Sequence, residues 1–157
     1  MKETIIRKAT LNDLKSIQEL NYALFQFEKE NFDPTLIVDW PSSEEGKNYF
    51  KELINNEYVI VAIENEKIVG YLAGTIPEKG SYELVQYGEI NNMIVAEKAR
   101  GFGIGKQLID CFKEYCKEKN IHHLKVVASA KNQVAIDFYK KQGFEDFNIT
   151  LTMDMGE

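Results

Sequence analysis

Hydrophobic and polar positions follow two periods along the chain, and together they predict a mixed order of strands and helices. Apolar residues at spacings of three and four predict helices at about 14–30, from 43 onward, and at about 103–119 and 133–142. Alternating or continuous apolar runs predict strands at 4–9, 58–64, 67–76, 83–95, 124–129 and 144–155. This order predicts an α/β (α+β) fold in which helices cover a central mixed sheet.

Short polar signals mark the ends of these elements. Thr10 and Asp13 have the spacing of a capping box ahead of the first helix, and Ser43 begins the second. The polar pair at 65–66 suits a hairpin turn, and Gly143 suits a left-handed helix cap. A polar pair at 91–92 interrupts the otherwise apolar strand at 83–95.

Composition and charge narrow the classes of protein. The 157 residues predict one domain, 1–157, and the formal charge of -6 argues against nucleic acid or anionic lipid as a partner. Apolar runs are too short to span a bilayer and no secretory signal is visible, so we expect a cytoplasmic protein. Cys111 and Cys116 fall five residues apart within one predicted helix and so lie on different faces of it. His122 and His123 are adjacent in a predicted strand and would point to opposite faces, so we expect no joint metal site.

Residues 100–106 form a glycine loop between a predicted strand and a predicted helix. Gly101, Gly103 and Gly105 allow close approach of the backbone to a ligand, and the free amides of a helix N-terminus attract phosphate. The loop therefore predicts a pyrophosphate site. It is not a Walker loop, because Arg100 stands where the first glycine belongs and Gln107 follows Lys106; the spacing of the dinucleotide fingerprint also fails.

Three motifs together resemble the GNAT superfamily of acetyl-CoA-dependent N-acetyltransferases. Arg100, Gly103 and Gly105 fit R-x-x-G-x-G, and residues 132–144 fit N-x-x-A-x-x-x-Y-x-x-x-G-F. The opening at 6–13 is similar to the first strand and helix cap of that family. The resemblance implies a single-domain GNAT fold over 1–157, with a mostly antiparallel sheet, about four helices, and acetyl-CoA as cosubstrate.

The resemblance also implies which residues hold acetyl-CoA. The pyrophosphate would lie on the loop amides, and the pantetheine arm would pair with an open edge of the fourth strand, which a bulge at 91–92 would separate from the fifth. Asn132 would contact CoA, although it also suits a helix cap. The cofactor-binding candidates are Met93, Ile94, Val95, Arg100, Gly101, Phe102, Gly103, Ile104, Gly105, Lys106, Asn132, Ala135, Phe138 and Tyr139.

Two residues are the candidates for proton transfer. Tyr139 matches the tyrosine that protonates the departing thiolate in many members of the family, and its alternative role is packing beside Phe138. Glu89 is the candidate base that would deprotonate the amine through water, and its alternative is a solvated carboxylate.

The first two helices and their connection are expected to form the acceptor wall. Tyr22, Phe25 and Trp40 are its aromatic candidates, and cation-π contacts would favour an ammonium group there. Asn91 is a further substrate candidate; it stands where polyamine-acetylating relatives often have an acid, and an amide cannot act as a base.

We therefore expect an N-acetyltransferase of the acyltransferase class in which a primary amine of a small molecule or peptide attacks acetyl-CoA directly in a ternary complex. The alternatives are a non-catalytic CoA-sensing or peptide-binding module with the same fold, and another nucleotide-phosphate enzyme. The identity of the amine and the existence of a homodimer stay open at this point.

Overall fold

The structure, a computed structural model, describes residues 2–157 and shows there a five-stranded sheet with helices on both faces. The strands, which follow one another in the sheet as in the chain, are β1 (Ile5–Lys8), β2 (Tyr58–Glu64), β3 (Lys67–Thr75), β4 (Tyr87–Val95) and β5 (His123–Val126). The α-helices are α1 (Leu14–Asn31), α2 (Glu44–Asn56), α3 (Ile104–Glu118) and α4 (Gln133–Lys141). Neighbouring strands are antiparallel except β4 and β5, which are parallel. The predicted α/β class with a mixed, mostly antiparallel sheet is confirmed.

The sheet is buried on both faces, which explains why β2 and β3 are nearly continuous apolar runs. Successive side chains of a strand point to opposite faces. Tyr71 therefore packs with Ile17 of α1 and Phe50 of α2, whereas Leu72 packs with Phe112 of α3. The α3 layer and the layer of α1 and α2 both reach the C-terminal end of β4, where the candidate site lies.

Local signals in the sequence set the element ends as predicted. The Asp13 carboxylate accepts a hydrogen bond from the Thr10 backbone N–H at 2.8 Å and is paired with Arg7 at 2.7 Å. The Ser43 hydroxyl accepts from the Gly46 N–H at 3.0 Å and caps α2. Asn65 and Glu66 have positive φ values of 49° and 64°, which suit a two-residue hairpin turn.

A β-bulge in β4 falls at the predicted polar pair. The register pairs Ala73 with Asn92 and Gly74 with Ile90, so Asn91 is an extra residue on the β4 side. The parallel pairing of β4 with β5 covers only Tyr87 to Ile90. Within the described chain, β4 beyond Ile90 is therefore paired with β3 on one side and has no strand on the β5 side.

Two predicted strands are wrong in extent or in place. β4 begins at Tyr87 rather than 83, because its pairing with β3 ends at Thr75 opposite Glu89, and Leu84 is 99% exposed. Residues 144–155, predicted as a strand, have no regular secondary structure and are exposed after the half-buried Phe144, and in the part of the chain described they pair with no strand of the sheet. None of the helices in residues 2–157 combines the length and hydrophobicity that a membrane span requires.

Candidate active site

The glycine loop after β4 presents its backbone to solvent. Gly101 and Gly103 have φ values of 85° and 82°, in the left-handed region that a side chain rarely adopts. A Cβ atom built on either glycine meets no atom within 4 Å, and Phe102 between them is 74% exposed. A ligand can therefore approach the main chain of this loop without displacing protein atoms.

The loop leads into the N-terminus of α3. The first backbone hydrogen bond of that turn runs from the Gln107 N–H to the Gly103 carbonyl at 3.0 Å. Among residues 2–157, no backbone acceptor serves the preceding amides of Ile104, Gly105 and Lys106. Three unpaired amides and the positive end of the helix dipole make this turn suited to an anion. The buried Ile104 side chain fixes the turn in the core.

The two cationic side chains of the loop are engaged with protein groups. The Arg100 Nε donates to the Val95 carbonyl at 2.8 Å and ties the loop to the end of β4. The Lys106 ammonium is paired with Asp110, one helical turn further along α3. The anion site is therefore formed by main-chain amides, and Lys106 would have to leave Asp110 to contact a phosphate.

The open edge of β4 offers backbone groups rather than side chains. Met93 and Val95 pack against the core on the α3 side, and Ile94 is buried on the side of α1 and α2. An extended ligand with amide groups can add to such an edge as an extra strand. One acceptor of this edge, the Val95 carbonyl, is already used by Arg100.

Helix α4 packs across the first turn of α3. A Cβ on Gly105 would lie 3.0 Å from the Phe138 ring, so this glycine lets α4 pack closely on α3, in contrast to Gly101 and Gly103, which face open space. Asn132 caps α4, and its side chain accepts from the Ala135 N–H at 3.1 Å. The capping role predicted for Asn132 is confirmed, and its second lone pair is still free to accept a hydrogen bond.

Tyr139 lies on α4 between two other rings. The ring centroids of Phe138 and Phe144 are 5.3 Å and 5.6 Å away, both edge to face. Burial, and then the charge of Glu28 on α1, raise the pKa of the phenol to about 12. No hydrogen-bond partner of the hydroxyl is found in residues 2–157, so a protonated phenol stands available to a ligand.

Glu28 of α1 is a half-buried carboxyl whose proximity to Tyr139 sequence reasoning did not predict. Burial first, and the nearby Asp33 second, raise the pKa of this carboxyl, and its charge acts on Tyr139. The sequence gives no signal for this, because α1 and α4 are far apart in the chain.

Glu89 is not a free carboxylate. Its side chain is paired with Lys125 of β5 at 2.9 Å, and the two residues are register partners in the parallel pair of strands. Both side chains are about one-third exposed. Asn91, two residues on, accepts a hydrogen bond from the Thr75 hydroxyl at 2.9 Å.

Aromatic residues of the first two helices and their connection form a wall beside the bulge. Phe25 stacks on Trp40 with centroids 6.0 Å apart, and Trp40 contacts Tyr49 at 5.4 Å. Tyr22 is half-buried and belongs to no ring pair within the described residues. The Tyr49 hydroxyl accepts from the Asn92 amide at 3.2 Å, which connects this wall to β4.

A buried amide continues this connection. The Asn21 Nδ2 donates to the Tyr71 hydroxyl at 2.8 Å and to the Asn92 Oδ1 at 3.2 Å. Its Oδ1 atom is buried and has no hydrogen-bond partner in residues 2–157. Sequence reasoning missed Asn21, Tyr49 and Tyr71, because their helical or strand spacing indicates only core packing.

In the part of the chain that the structure describes, one cavity adjoins the loop and another lies away from it. A cavity of about 270 Å³ lies between α1 and the end of β4, and Ile94, Glu97 and Arg100 are among the residues that line it. A larger cavity of about 440 Å³ lies at the β2–β3 hairpin beside Arg7 and Asp13, which already satisfy each other. The smaller cavity therefore belongs to the candidate site.

Cys111 and Cys116 both lie in α3, as predicted. Burial raises the pKa of the Cys111 thiol and raises that of Cys116 to about 11, so neither thiol is activated as a nucleophile. Among the described residues, no group of three or more His, Cys, Asp or Glu side chains is arranged to hold a metal ion.

This α/β domain has a glycine loop at a helix N-terminus and an open strand edge beside the loop. Such a site suits a ligand that has phosphates and an extended arm with amide groups. Comparison with known proteins agrees with this class. The sequence profile of the Acetyltransferase (GNAT) family matches residues 18–144, and the chain belongs to this family.

One sequence relative and two solved structures illustrate what this chain is similar to. An uncharacterized N-acetyltransferase of Methanocaldococcus jannaschii is 30% identical over 149 residues, which cover 93% of this chain; the chain spans 62% of the length of that relative. A mutant protein of Bacillus halodurans has a similar structure, with a TM-score of 0.86, 20% identity, and coverage of 96% and 99% of the two chains. An aminoglycoside N-acetyltransferase solved with CoA has a TM-score of 0.74 at 15% identity, with 98% and 95% covered.

Proposed function

We propose that this chain transfers an acetyl group from acetyl-CoA to a primary amine of a small molecule or peptide. The observation that carries the proposal is the open cradle: unpaired amides at the start of α3, adjoining a β4 edge that β5 leaves free. Family membership, the name of the archaeal relative and the CoA bound by the aminoglycoside N-acetyltransferase support the same conclusion.

The residues present fit the cosubstrate. The pyrophosphate would lie on the amides of 101–106, where Gly101 and Gly103 leave open space. The pantetheine amides would pair with the backbone of Met93 to Val95, while Arg100 holds the loop against that strand end. On the other side, Asn132, Ala135 and Phe138 of α4 would line the arm as the resemblance implies.

The reaction needs one new bond, and three protons move when the substrate arrives as an ammonium ion: two leave the nitrogen and one reaches the thiolate. The amine nitrogen forms a bond to the thioester carbonyl carbon, the carbon–sulfur bond breaks, and the amine gives up a proton while the thiolate gains one. Tyr139 would donate to the thiolate, since its raised pKa keeps the hydroxyl protonated at any physiological pH.

An amine with a pKa near 10 arrives as an ammonium ion, so a base is required. Glu89 would serve as that base through a water molecule, with its Oε1 atom paired with Lys125 at 2.9 Å. Asn91 with the aromatic Tyr22, Phe25 and Trp40 would hold the acceptor on the α1 and α2 side. The ring faces there would favour a cationic group.

The test is ligand binding followed by turnover. Thermal shift and calorimetry compare acetyl-CoA, CoA, ATP, NAD and S-adenosylmethionine, because a ligand of the native state raises the melting temperature by mass action. We expect stabilisation by the two CoA species alone. Release of CoA thiol is then followed with polyamines, aminoglycosides, amino acids and peptides, and the acetylated amine is identified by mass.

Each outcome decides between the alternatives. CoA binding with turnover of an amine supports the proposal. CoA binding without turnover of any amine class would favour a CoA-sensing or peptide-binding module. Stabilisation by another nucleotide, with no stabilisation by CoA, would refute the assignment of the loop and the β4 edge to acetyl-CoA. It would also refute the catalytic roles that depend on this assignment.

A further inference from the structure

Glu89 lies on the face of the sheet that carries the acceptor wall. A Cβ on Gly88, the residue before it, would point at the Cys116 sulfur of α3. Successive side chains of a strand alternate between faces, so the Glu89 side chain lies on the opposite face, with α1 and α2. Asn92 faces the same way and bonds to Tyr49 of α2. The charges around Glu89 therefore meet any acceptor that enters beside this wall.

Lys125 places one positive charge directly beside Glu89. Its Nζ atom lies 2.9 Å from the Glu89 Oε1 atom and 5.0 Å from the centroid of the Tyr87 ring. The hydrogen bond to Glu89 raises the pKa of Lys125, and Glu83 of the β3–β4 connection adds a weaker contribution at longer range. An ammonium group has three N–H donors, and the contact with Glu89 uses one of them. Lys125 is about one-third exposed, so its other donors can meet a ligand.

Asn91 adds further donors on the other side of Glu89. Thr75 is the register partner of Glu89 on β3, and its hydroxyl donates to the Asn91 Oδ1 atom at 2.9 Å. This bond uses the oxygen of the amide and leaves its two N–H donors for a ligand. Asn91 is exposed. Glu89 is therefore flanked by N–H donors, those of Lys125 on the β5 side and those of Asn91 on the β3 side.

This arrangement suits an acceptor that carries charges of both signs. A primary amine arrives as an ammonium ion, which Glu89 attracts and Lys125 repels. An acceptor with a carboxylate next to its amine presents that group to the donors of Lys125 and Asn91 and adds no net charge to the site. The two protein charges are 2.9 Å apart, so the two charges of the ligand must also be adjacent, as they are in an α-amino acid. Polyamines and aminoglycosides bring additional positive charges and no carboxylate.

We propose that the amine acceptor of this chain is an α-amino acid, whose ammonium group lies toward Glu89 and whose carboxylate accepts hydrogen bonds from Lys125 and Asn91. The inference rests on the acetyl transfer proposed above and names the substrate class of that site. The amino nitrogen bonds to the acetyl carbon as the carbon–sulfur bond breaks, and the nitrogen loses two protons while the thiolate gains one. The products are an N-acetyl amino acid and CoA, and the carboxylate is unchanged.

Pairs of substrates that differ only at the carboxyl group test the proposal. Each amino acid is compared with its α-amide, which retains the side chain and the amine but has no negative charge. We expect kcat/KM for the preferred amino acid to exceed that of its amide at least about 10-fold, the size of a hydrogen bond to a charged group. The amine of an amide is less basic and more of it is uncharged, so chemical reactivity alone favours the amide. Calorimetry on the CoA complex measures the same preference without turnover.

Variants at Lys125 show whether this side chain causes the preference. Lys125→Met should bring the ratio between amino acid and amide close to one, mainly by raising KM for the amino acid, and Lys125→Arg should retain the preference. The ratio compares two substrates on one variant, so a general effect on Glu89 cancels. Lys117→Met is the matched control, because Lys117 pairs with Glu114 at 2.8 Å on α3 and should keep the ratio of the unmodified chain.

The outcomes separate this inference from the proposed function. Amides as good as the amino acids in every pair, a preference that Lys125→Met leaves intact, or turnover of polyamines or aminoglycosides alone would each overturn the amino-acid assignment and leave the acetyl transfer standing. If no amine of any class is acetylated, the proposed function fails. The calorimetric comparison then still decides the binding site: a preference for the amino acid that depends on Lys125 supports it, and equal affinities overturn it.

Discussion

Tyr139→Phe removes one hydroxyl group and retains the ring that packs between Phe138 and Phe144. Since the hydroxyl has no hydrogen-bond partner in the described residues, the fold should lose almost nothing. We expect the free energy of unfolding to change by less than about 1 kcal/mol, which is about 3 °C in melting temperature for a chain of this size. The effect should fall on turnover instead.

The size of that effect follows from the pKa of the phenol. At about 12 it lies some three to four units above an ordinary thiol near 8.5, so complete transfer of the proton to an unperturbed thiolate would be uphill by about 5 kcal/mol. Burial raises the pKa of both groups, and a hydrogen bond to a charged acceptor contributes about 1.5–3 kcal/mol. Loss of that bond should lower kcat roughly 10- to 150-fold.

The assay is continuous detection of released CoA thiol under saturating amine, with the Kd for acetyl-CoA measured by calorimetry. Tyr115→Phe is the matched control, because Tyr115 is also partly buried and stacks on Tyr58 at 4.2 Å, away from the loop. We expect the control to keep kcat. If Tyr139→Phe keeps more than half of kcat, or weakens acetyl-CoA binding as much as it lowers kcat, Tyr139 is a packing or binding residue. From its raised pKa, the alkaline limb that belongs to Tyr139 should lie above pH 10.

Three further variants test separate parts of the structure. Gly103→Val should weaken acetyl-CoA binding at least 10-fold by calorimetry, since it forces a branched residue to φ 82° and fills the open space of the loop. Unchanged affinity would exclude this loop as the binding site of the pyrophosphate. Arg7→Met should lower the free energy of unfolding by about 1–3 kcal/mol at pH 7, because it leaves the buried Asp13 carboxylate unpaired. Arg7 lowers the pKa of Asp13, so this stabilisation is present above the ordinary carboxyl pKa and is lost as pH falls through the lower folded value; urea titrations should show a smaller loss at pH 3 than at pH 7. Glu89→Gln should lower kcat at least 10-fold with unchanged Kd for acetyl-CoA, and full activity would exclude it as the base.

Elements governed by local sequence were predictable almost to the residue. The periodicity of the third helix predicts 103–119, and the helix spans Ile104–Glu118. The β2–β3 hairpin has a two-residue turn whose chemistry is local. The family resemblance implied a bulge in the fourth strand, and the polar pair at 91–92 in an otherwise apolar run predicted its position.

Elements that depend on a distant partner were not predictable in the same way. A strand exists only where another strand pairs with it, so the apolar residues before Tyr87 and after Phe144 suggested strands that the sheet does not contain. The contacts of the site have the same character. The Asn21 side chain meets Tyr71 and Asn92 across 50 and 71 residues of sequence, and no motif marks such a pair.

The bulge links the two halves of the candidate site. Because Asn91 is an extra residue, Asn92 turns its side chain toward α1 and α2, where it bonds to Asn21 and Tyr49. Beyond the same point β5 no longer follows β4, so the backbone edge of Met93 to Val95 is left open. A regular strand would pair this edge along its length and would reverse the face of every later side chain. Under the proposed function, one inserted residue therefore opens the place for the thioester arm and sets the acceptor wall beside it.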